Sequence, residues 1–232
     1  MADKPAIVLV HGFWGGAAHW AGVILELQRR GYTDIHAVEN PLTSLQNDAA
    51  RTQQMVKQID GPVLLVGHSY GGEVITEAGD LPNVVGLVYV AAFAPDAGES
   101  AGQISQEHPP AAFSNIAPDS DGYLWIAQDK FKESFAQDLS DEDAFVMAVT
   151  QKAPVGSTFG DTVSAPAWKV KPVWYQVSTQ DRMIDPDNER RMAARMNPRK
   201  TIELDASHAS LASQPAAIVD LIDTAVADLA AE

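Results

Sequence analysis

Six short runs along the chain are rich in apolar residues: AIVLV (6–10), IHAV (35–38), VLLV (63–66), VVGLVYVA (84–91), VWYQV (173–177) and TIELD (201–205). Most are apolar at successive positions, as strands covered on both faces of a parallel sheet must be. Longer amphipathic stretches lie between them. AAHWAGVILELQRRG closes on Gly31, LQNDAARTQQMVKQIDG closes on Gly61, and PDNERRMAARMNP runs from Pro186 to Pro198, so each reads as a helix with a recognisable stop. In the C-terminal PAAIVDLIDTAVADLAAE, Ile218, Leu221, Ile222, Ala225 and Leu229 share one helical stripe behind Pro215. Strand and helix in alternation predict an α/β fold of about six mostly parallel strands with helices on both faces.

The alternation breaks between residues 95 and 170, too long a stretch for an ordinary loop. Its first part is rich in turn residues, and YLWIAQDKFKESFAQDLSDEDAFVMAVTQK reads as helical. It carries Phe113, Tyr123, Trp125, Phe131, Phe135, Phe145, Phe159 and Trp168. Ligands of open parallel sheets bind at the carboxyl ends of the strands, so an insertion over that end forms a pocket roof. The expected organisation is one domain, with residues 1–94 and 171–232 as its core and 95–170 as the insertion.

Composition narrows the choice of partners. With 31 acidic against 16 basic residues in 232, the formal charge of −15 repels polyanions, so nucleic acid and anionic membrane surfaces are not expected partners. The absence of cysteine excludes disulfides, thiolate metal sites and a cysteine nucleophile. The N-terminal apolar run of five residues ends at His11, too short for a signal-peptide core, and a cytoplasmic location is the expectation.

The strand at 63–66 runs into Gly67-His68-Ser69-Tyr70-Gly71, a G-x-S-x-G at a strand-to-helix turn. Such a turn is tight enough to require small neighbours, and it lifts the hydroxyl off the strand end into a cleft. A serine hydroxyl needs a base near neutral pH. His208, in DASHASLASQP, follows the last predicted strand and so lies at the same end of the sheet. His36 falls within a strand, His108 in the turn-rich insertion, and His68 on the turn itself in a structural role. For the carboxylate that orients the base, VSTQDRMIDPD offers Asp181 and Asp185 beyond another strand, and Asp96 follows the strand at 84–91. Asp181 comes first after its strand, whereas Asp185 precedes Pro186 and suits an N-cap. Near the N-terminus VLVHGFWGG ends the first strand in a loop of small residues, and Phe13 N–H with Tyr70 N–H fits an oxyanion hole. His11 and Trp14 are candidates for the substrate pocket, with His11 orienting the loop and Trp14 walling the cavity; Trp125 joins them from the insertion.

LVHGFWGGAAHW, VGHSYGG, VSTQDRMIDPD and DASHASLASQP, in this order and spacing, resemble the α/β-hydrolase superfamily over nearly the whole chain. Within it they resemble the compact branch of plant methylesterases, hydroxynitrile lyases and small bacterial carboxylesterases. The resemblance implies the α/β-hydrolase fold without its usual first two strands and a small helical cap at 95–170. It also implies an acid at Asp181, since 27 residues separate it from His208 as in these relatives. Hydroxynitrile lyases of that branch carry threonine after the early histidine and lysine after the base; this chain has Gly12 and Ala209. The departure favours hydrolysis.

Together these features predict a serine hydrolase of small to medium apolar carboxylic esters, acting on a small molecule with no cofactor and no metal. The same triad serves lactone or carbon–carbon bond hydrolysis and perhydrolysis in other settings, and a non-catalytic ligand sensor is the alternative from a different class.

Overall fold

The computed structural model describes residues 4–231. The six apolar runs form one parallel sheet: β1 (Ala6–Val10), β2 (Ile35–Val38), β3 (Val63–His68), β4 (Val84–Val90), β7 (Val173–Ser178) and β8 (Lys200–Leu204), in the spatial order β2-β1-β3-β4-β7-β8. Each core strand sends alternate side chains to opposite faces. Val8, Val10, Leu65, Tyr89 and Tyr175 pack on one side, against α2 (Leu45–Val56), α3 (Tyr70–Ala78) and α7 (Pro186–Met196). Ile7, Leu9, Leu64, Val66, Val88 and Trp174 pack on the other, against α1 (Ala21–Arg29) and α9 (Pro215–Ala230). Ile218, Leu221, Ile222 and Ala225 of α9 are buried as their stripe predicts, with Leu229 half-buried at the end. Glu232, included in that predicted helix, lies outside the described residues. Fully burying one such aliphatic side chain stabilises the fold by about 1.5–3 kcal/mol, so both layers contribute substantially.

From β1 the chain crosses to β2 on one side and returns to β3 on the other. This reversal opens a crevice at the carboxyl ends of β1 and β3, where such sheets bind ligands.

Between β4 and β7 lie α4 (Ala101–Glu107), a hairpin of β5 (Ile116–Pro118) and β6 (Leu124–Ile126), α5 (Phe131–Phe135) and α6 (Asp141–Thr150). The helix α4 starts from a capping box in which Ser100 and Gln103 exchange hydrogen bonds. The hairpin corrects the helical expectation for residues from Tyr123 onward. Leu124, Trp125 and Ile126 pair antiparallel with Pro118, Ala117 and Ile116 across a turn in which Gly122 has φ 84°, and a branched and aromatic run suits that pairing. The segment is tied to the sheet's loops through Trp14 N–H to Lys152 O (3.0 Å), Val155 N–H to Leu42 O (3.0 Å) and Ala209 N–H to Phe135 O (3.1 Å). Among the described residues no helix is long and apolar enough to cross a membrane.

Candidate active site

Ser69 joins β3 to α3 with φ 56° and ψ −127°, a backbone that costs a non-glycine residue about 1–3 kcal/mol. Close approach explains the flanking glycines. A Cβ on Gly67 would stand 2.5 Å from the Gly71 carbonyl oxygen, and one on Gly71 would collide with that of Val10. The elbow therefore presses β3 and α3 against the end of β1, inside the crevice. Gly12, in the loop after β1, faces the elbow directly: a Cβ there would lie 2.5 Å from Ser69 Cβ and 2.9 Å from its Oγ.

Phe13 and Tyr70, whose amides are the expected oxyanion donors, are both buried beside the elbow. Tyr70 is the first residue of α3, so its N–H has no intrahelical carbonyl to bond. The two rings stack at 3.9 Å with 13° between their planes, which couples the loop after β1 to the helix after β3. Asp48 of α2 anchors the pair from below. Its Oδ2 accepts from Tyr70 O–H (2.8 Å) and its Oδ1 from Leu42 N–H (2.8 Å). Burial pushes the Asp48 carboxyl up to about 6, although both donors favour its charged form.

His208 lies in the loop between β8 and α8 (Ser210–Ser213), fully buried. Its Nδ1–H donates to Asp181 Oδ2 at 2.5 Å, while Asp181 Oδ1 accepts from Met183 N–H (2.7 Å) and Ile184 N–H (2.9 Å). The other ring nitrogen, Nε2, is buried and has no partner among the described residues. His68, next to the serine, donates from Nε2 to the His208 carbonyl (2.7 Å) with the two rings 4.7 Å apart. Burial drives its imidazole well below the usual histidine range, so it is a neutral strut for the His208 loop. An imidazole with one nitrogen held by a carboxylate and the other free can accept a proton, and strand-end amides can receive an oxyanion.

Of the three carboxylates considered, the structure brings Asp181 to His208. Asp185 caps α7 through Asp187 N–H (2.9 Å), and Asp96 pairs with Lys169. Two expected pocket residues are placed elsewhere. His11 is buried beneath the loop, where Nδ1–H donates to Gly12 O (2.8 Å) and Nε2 accepts from Asn40 N–H (2.9 Å). It holds the loop's shape and is not among the residues that line the cavity at Ser69. Trp125 stays 41 % exposed with its indole N–H on Asp119 Oδ2 (2.9 Å), because successive side chains of β6 point to opposite faces and it is Leu124 that turns inward.

A cavity of about 200 Å³ opens at Ser69. Phe13, Trp14, Phe93 and Met183 wall it from the sheet side, and Ser105, Phe113, Ile116, Leu124 and Phe159 from the segment between β4 and β7. Trp14 closes one end, its indole N–H on Leu124 O (2.8 Å). No charged side chain is among the residues that line it. Sequence reasoning named Trp14 but missed Phe93, Leu124 and Met183, which are ordinary core residues until the fold places them.

One other cluster has the composition of a metal site. Ligand atoms of His108, Asp185 and Asp187 lie within 4.8 Å of one another. Both carboxylates are already engaged, Asp185 by the α7 cap and Asp187 by Arg190 (3.0 Å).

Comparison with known proteins agrees with this architecture. Residues 7–221 match the family described as Alpha/beta hydrolase family. A carbendazim hydrolyzing esterase of Nocardioides sp. is 33 % identical over 106 residues, covering 40 % of this chain and 44 % of that protein. Methylesterase 3 of Arabidopsis thaliana is 24 % identical over 253 residues, covering 94 % and 95 %. Among solved structures, a pyrethroid hydrolase from Sphingobium faniae JZ-2 superposes with a TM-score of 0.83 at 20 % identity, covering 99 % of this chain and 100 % of that one. With its serine elbow, its reversed strand order and a family match over nearly its full length, the chain belongs to the α/β hydrolase family.

Proposed function

We propose that this chain is a serine esterase that cleaves small apolar carboxylic esters through an acyl-enzyme. The observation that carries the proposal is a buried histidine, held by Asp181, whose ring lies against His68 beside the Ser69 elbow, with Ser69 itself lining an uncharged cavity. Names of relatives support ester substrates: a carbendazim hydrolyzing esterase and a methylesterase. Residues 95–170 act as the cap that shapes the cavity.

In this mechanism Ser69 Oγ attacks the acyl carbon while His208 Nε2 takes its proton, and Asp181 holds the imidazole in the Nδ1–H tautomer and stabilises the imidazolium. The Phe13 and Tyr70 amides receive the negative charge on the former carbonyl oxygen. His208 returns the proton to the departing alcohol, and water repeats the sequence to release the acid. The Phe13–Tyr70 stack and Asp48 keep both amides fixed before charge develops, so little reorganisation opposes the step. No residue of the cavity wall would pair with a charged acyl group, and about 200 Å³ is below the usual range for ligand pockets. Short neutral acyl groups therefore fit best.

The test is release of p-nitrophenol from acetate, butyrate and octanoate esters by the wild type and by Ser69→Ala. Expected are turnover that falls with chain length and a loss of about 10⁴-fold or more in the variant. A folded wild type that turns over none of the three esters overturns the proposal.

A further inference from the structure

A second carboxyl group lies beside Asp181, and the proposed mechanism does not use it. Glu189 projects from α7 and is completely buried. Its Oε2 accepts from Ser178 N–H (3.0 Å), at the end of β7 and three residues before Asp181. Its carboxyl faces that of Asp181, close enough for the two charges to repel and for a proton to bridge them. Two carboxylate groups in such contact share a proton, because two buried like charges cannot face one another without one. The donor count decides which group holds it. Asp181 accepts three N–H bonds, from Met183, Ile184 and His208, and these stabilise its charge. Glu189 accepts a single one, and its Oε1 receives no N–H or O–H donor among the described residues.

We propose that Glu189 is a positioning residue of this site: its carboxylic O–H donates to Asp181 and fixes the carboxylate that orients His208. The inference rests on the reading of Ser69, His208 and Asp181 as a working triad. The surroundings agree with an uncharged acid. Burial foremost, then the Asp181 charge and the hydrogen bond to it, holds the Glu189 carboxyl well above the usual carboxylate range; Arg190 on its own helix is the opposing cation. From β7, Tyr175 faces it as a buried phenol whose hydroxyl is turned to the Ala92 carbonyl. Asp181 thus keeps a complete set of donors, and its one negative charge is directed to the imidazole instead of being shared between two acids.

Two variants and two spectroscopic signals test this. Glu189→Gln keeps an acceptor for Ser178 N–H and a donor for Asp181, whereas Glu189→Leu has neither. In wild-type protein at pH 7, the infrared carbonyl stretch of protonated carboxylic acids should be present, and Glu189→Gln should remove the part of it that Glu189 contributes while the buried Glu73 carboxyl keeps its own. The low-field proton resonance of the His208–Asp181 hydrogen bond should persist in Glu189→Gln and shift or broaden in Glu189→Leu. Turnover should fall about tenfold in Glu189→Leu through kcat, as expected for losing one hydrogen bond to a charged group, with KM little changed and with recovery in Glu189→Gln. If Glu189→Leu does not fold, the wild type and Glu189→Gln still decide the matter through the carbonyl band. An unchanged band in Glu189→Gln overturns the inference. So does a folded Glu189→Leu that keeps both its resonance and its kcat. Expected spectra in a chain that cleaves no ester would overturn the esterase proposal and leave this inference standing; ester cleavage with an ionised Glu189 would do the reverse.

Discussion

At the scale of single residues, the arrangement makes sharply different demands on carboxylates that look alike in the sequence. Asp181, Asp185 and Asp96 all follow strands, yet Asp181 bonds the imidazole, Asp185 caps a helix and Asp96 meets a lysine. Asp181→Asn should therefore lower kcat by about 10⁴-fold, since the amide would favour the wrong histidine tautomer. Asp185→Asn and Asp96→Asn should leave kcat within a small factor of wild type; steady-state kinetics on p-nitrophenyl acetate separates the three. Ser69, His208 and Asp181 were legible because each stands directly beyond an apolar run, which places all three at one end of the sheet before any coordinate is known. Glu189 and Asp48 were less so, because their partners come from other elements. A signal did exist. Glu189 shares a helical stripe with buried Met192, Ala193 and Met196, and Asp48 one with Leu45, Ala49, Thr52 and Val56, so each is a carboxylate on an inward face.

Elements decide what the cavity accepts. The strand β6 is three residues long, and its alternation puts Leu124 against the cavity and Trp125 toward solvent. Leu124→Ala should enlarge the pocket and raise the octanoate-to-acetate ratio of kcat/KM by about tenfold, the scale of a few methylene groups in an apolar pocket. Trp125→Ala should leave that ratio unchanged. The reverse pattern would mean that β6 pairs one residue out of register. So short a strand has no period that a sequence can display, and its partner Ile116–Pro118 lies across a turn. The long sheet strands, by contrast, were readable from consecutive β-branched and leucine positions, and the long helices from their stops.

Over the whole molecule, buried ionisable groups set the response to pH, and the two kinds act in opposite directions. Burial raises the carboxyls of Asp48, Glu73 and Glu189. The unfolded chain releases these protons from about pH 4 upward while the fold retains them, so they subtract stability as pH rises through that range and beyond. Burial likewise lowers the imidazoles of His11, His19 and His68, with His19 down to about 4. The unfolded chain takes up these protons below about pH 6.5 while the fold refuses them, so they subtract stability as pH falls. The opposing slopes offset each other in mildly acidic solution. Urea unfolding should give the highest midpoint between about pH 5 and 6.5, with stability falling by roughly 2–3 kcal/mol per pH unit just above neutrality, about 1.4 for each of the two acids that stay protonated there. A midpoint that climbs steadily to pH 8 would contradict the assignment of neutral buried acids. The net charge was legible in the sequence, but its division into surface and buried groups depended on packing.

The central claim is that Ser69 carries the acyl group between two half-reactions. Acid quenching of the protein during turnover of p-nitrophenyl butyrate, followed by peptide mass spectrometry, tests it most directly. The account predicts a butyryl adduct on the peptide containing Ser69, absent from Ser69→Ala. Turnover without any adduct on that serine, undiminished in Ser69→Ala, would contradict it.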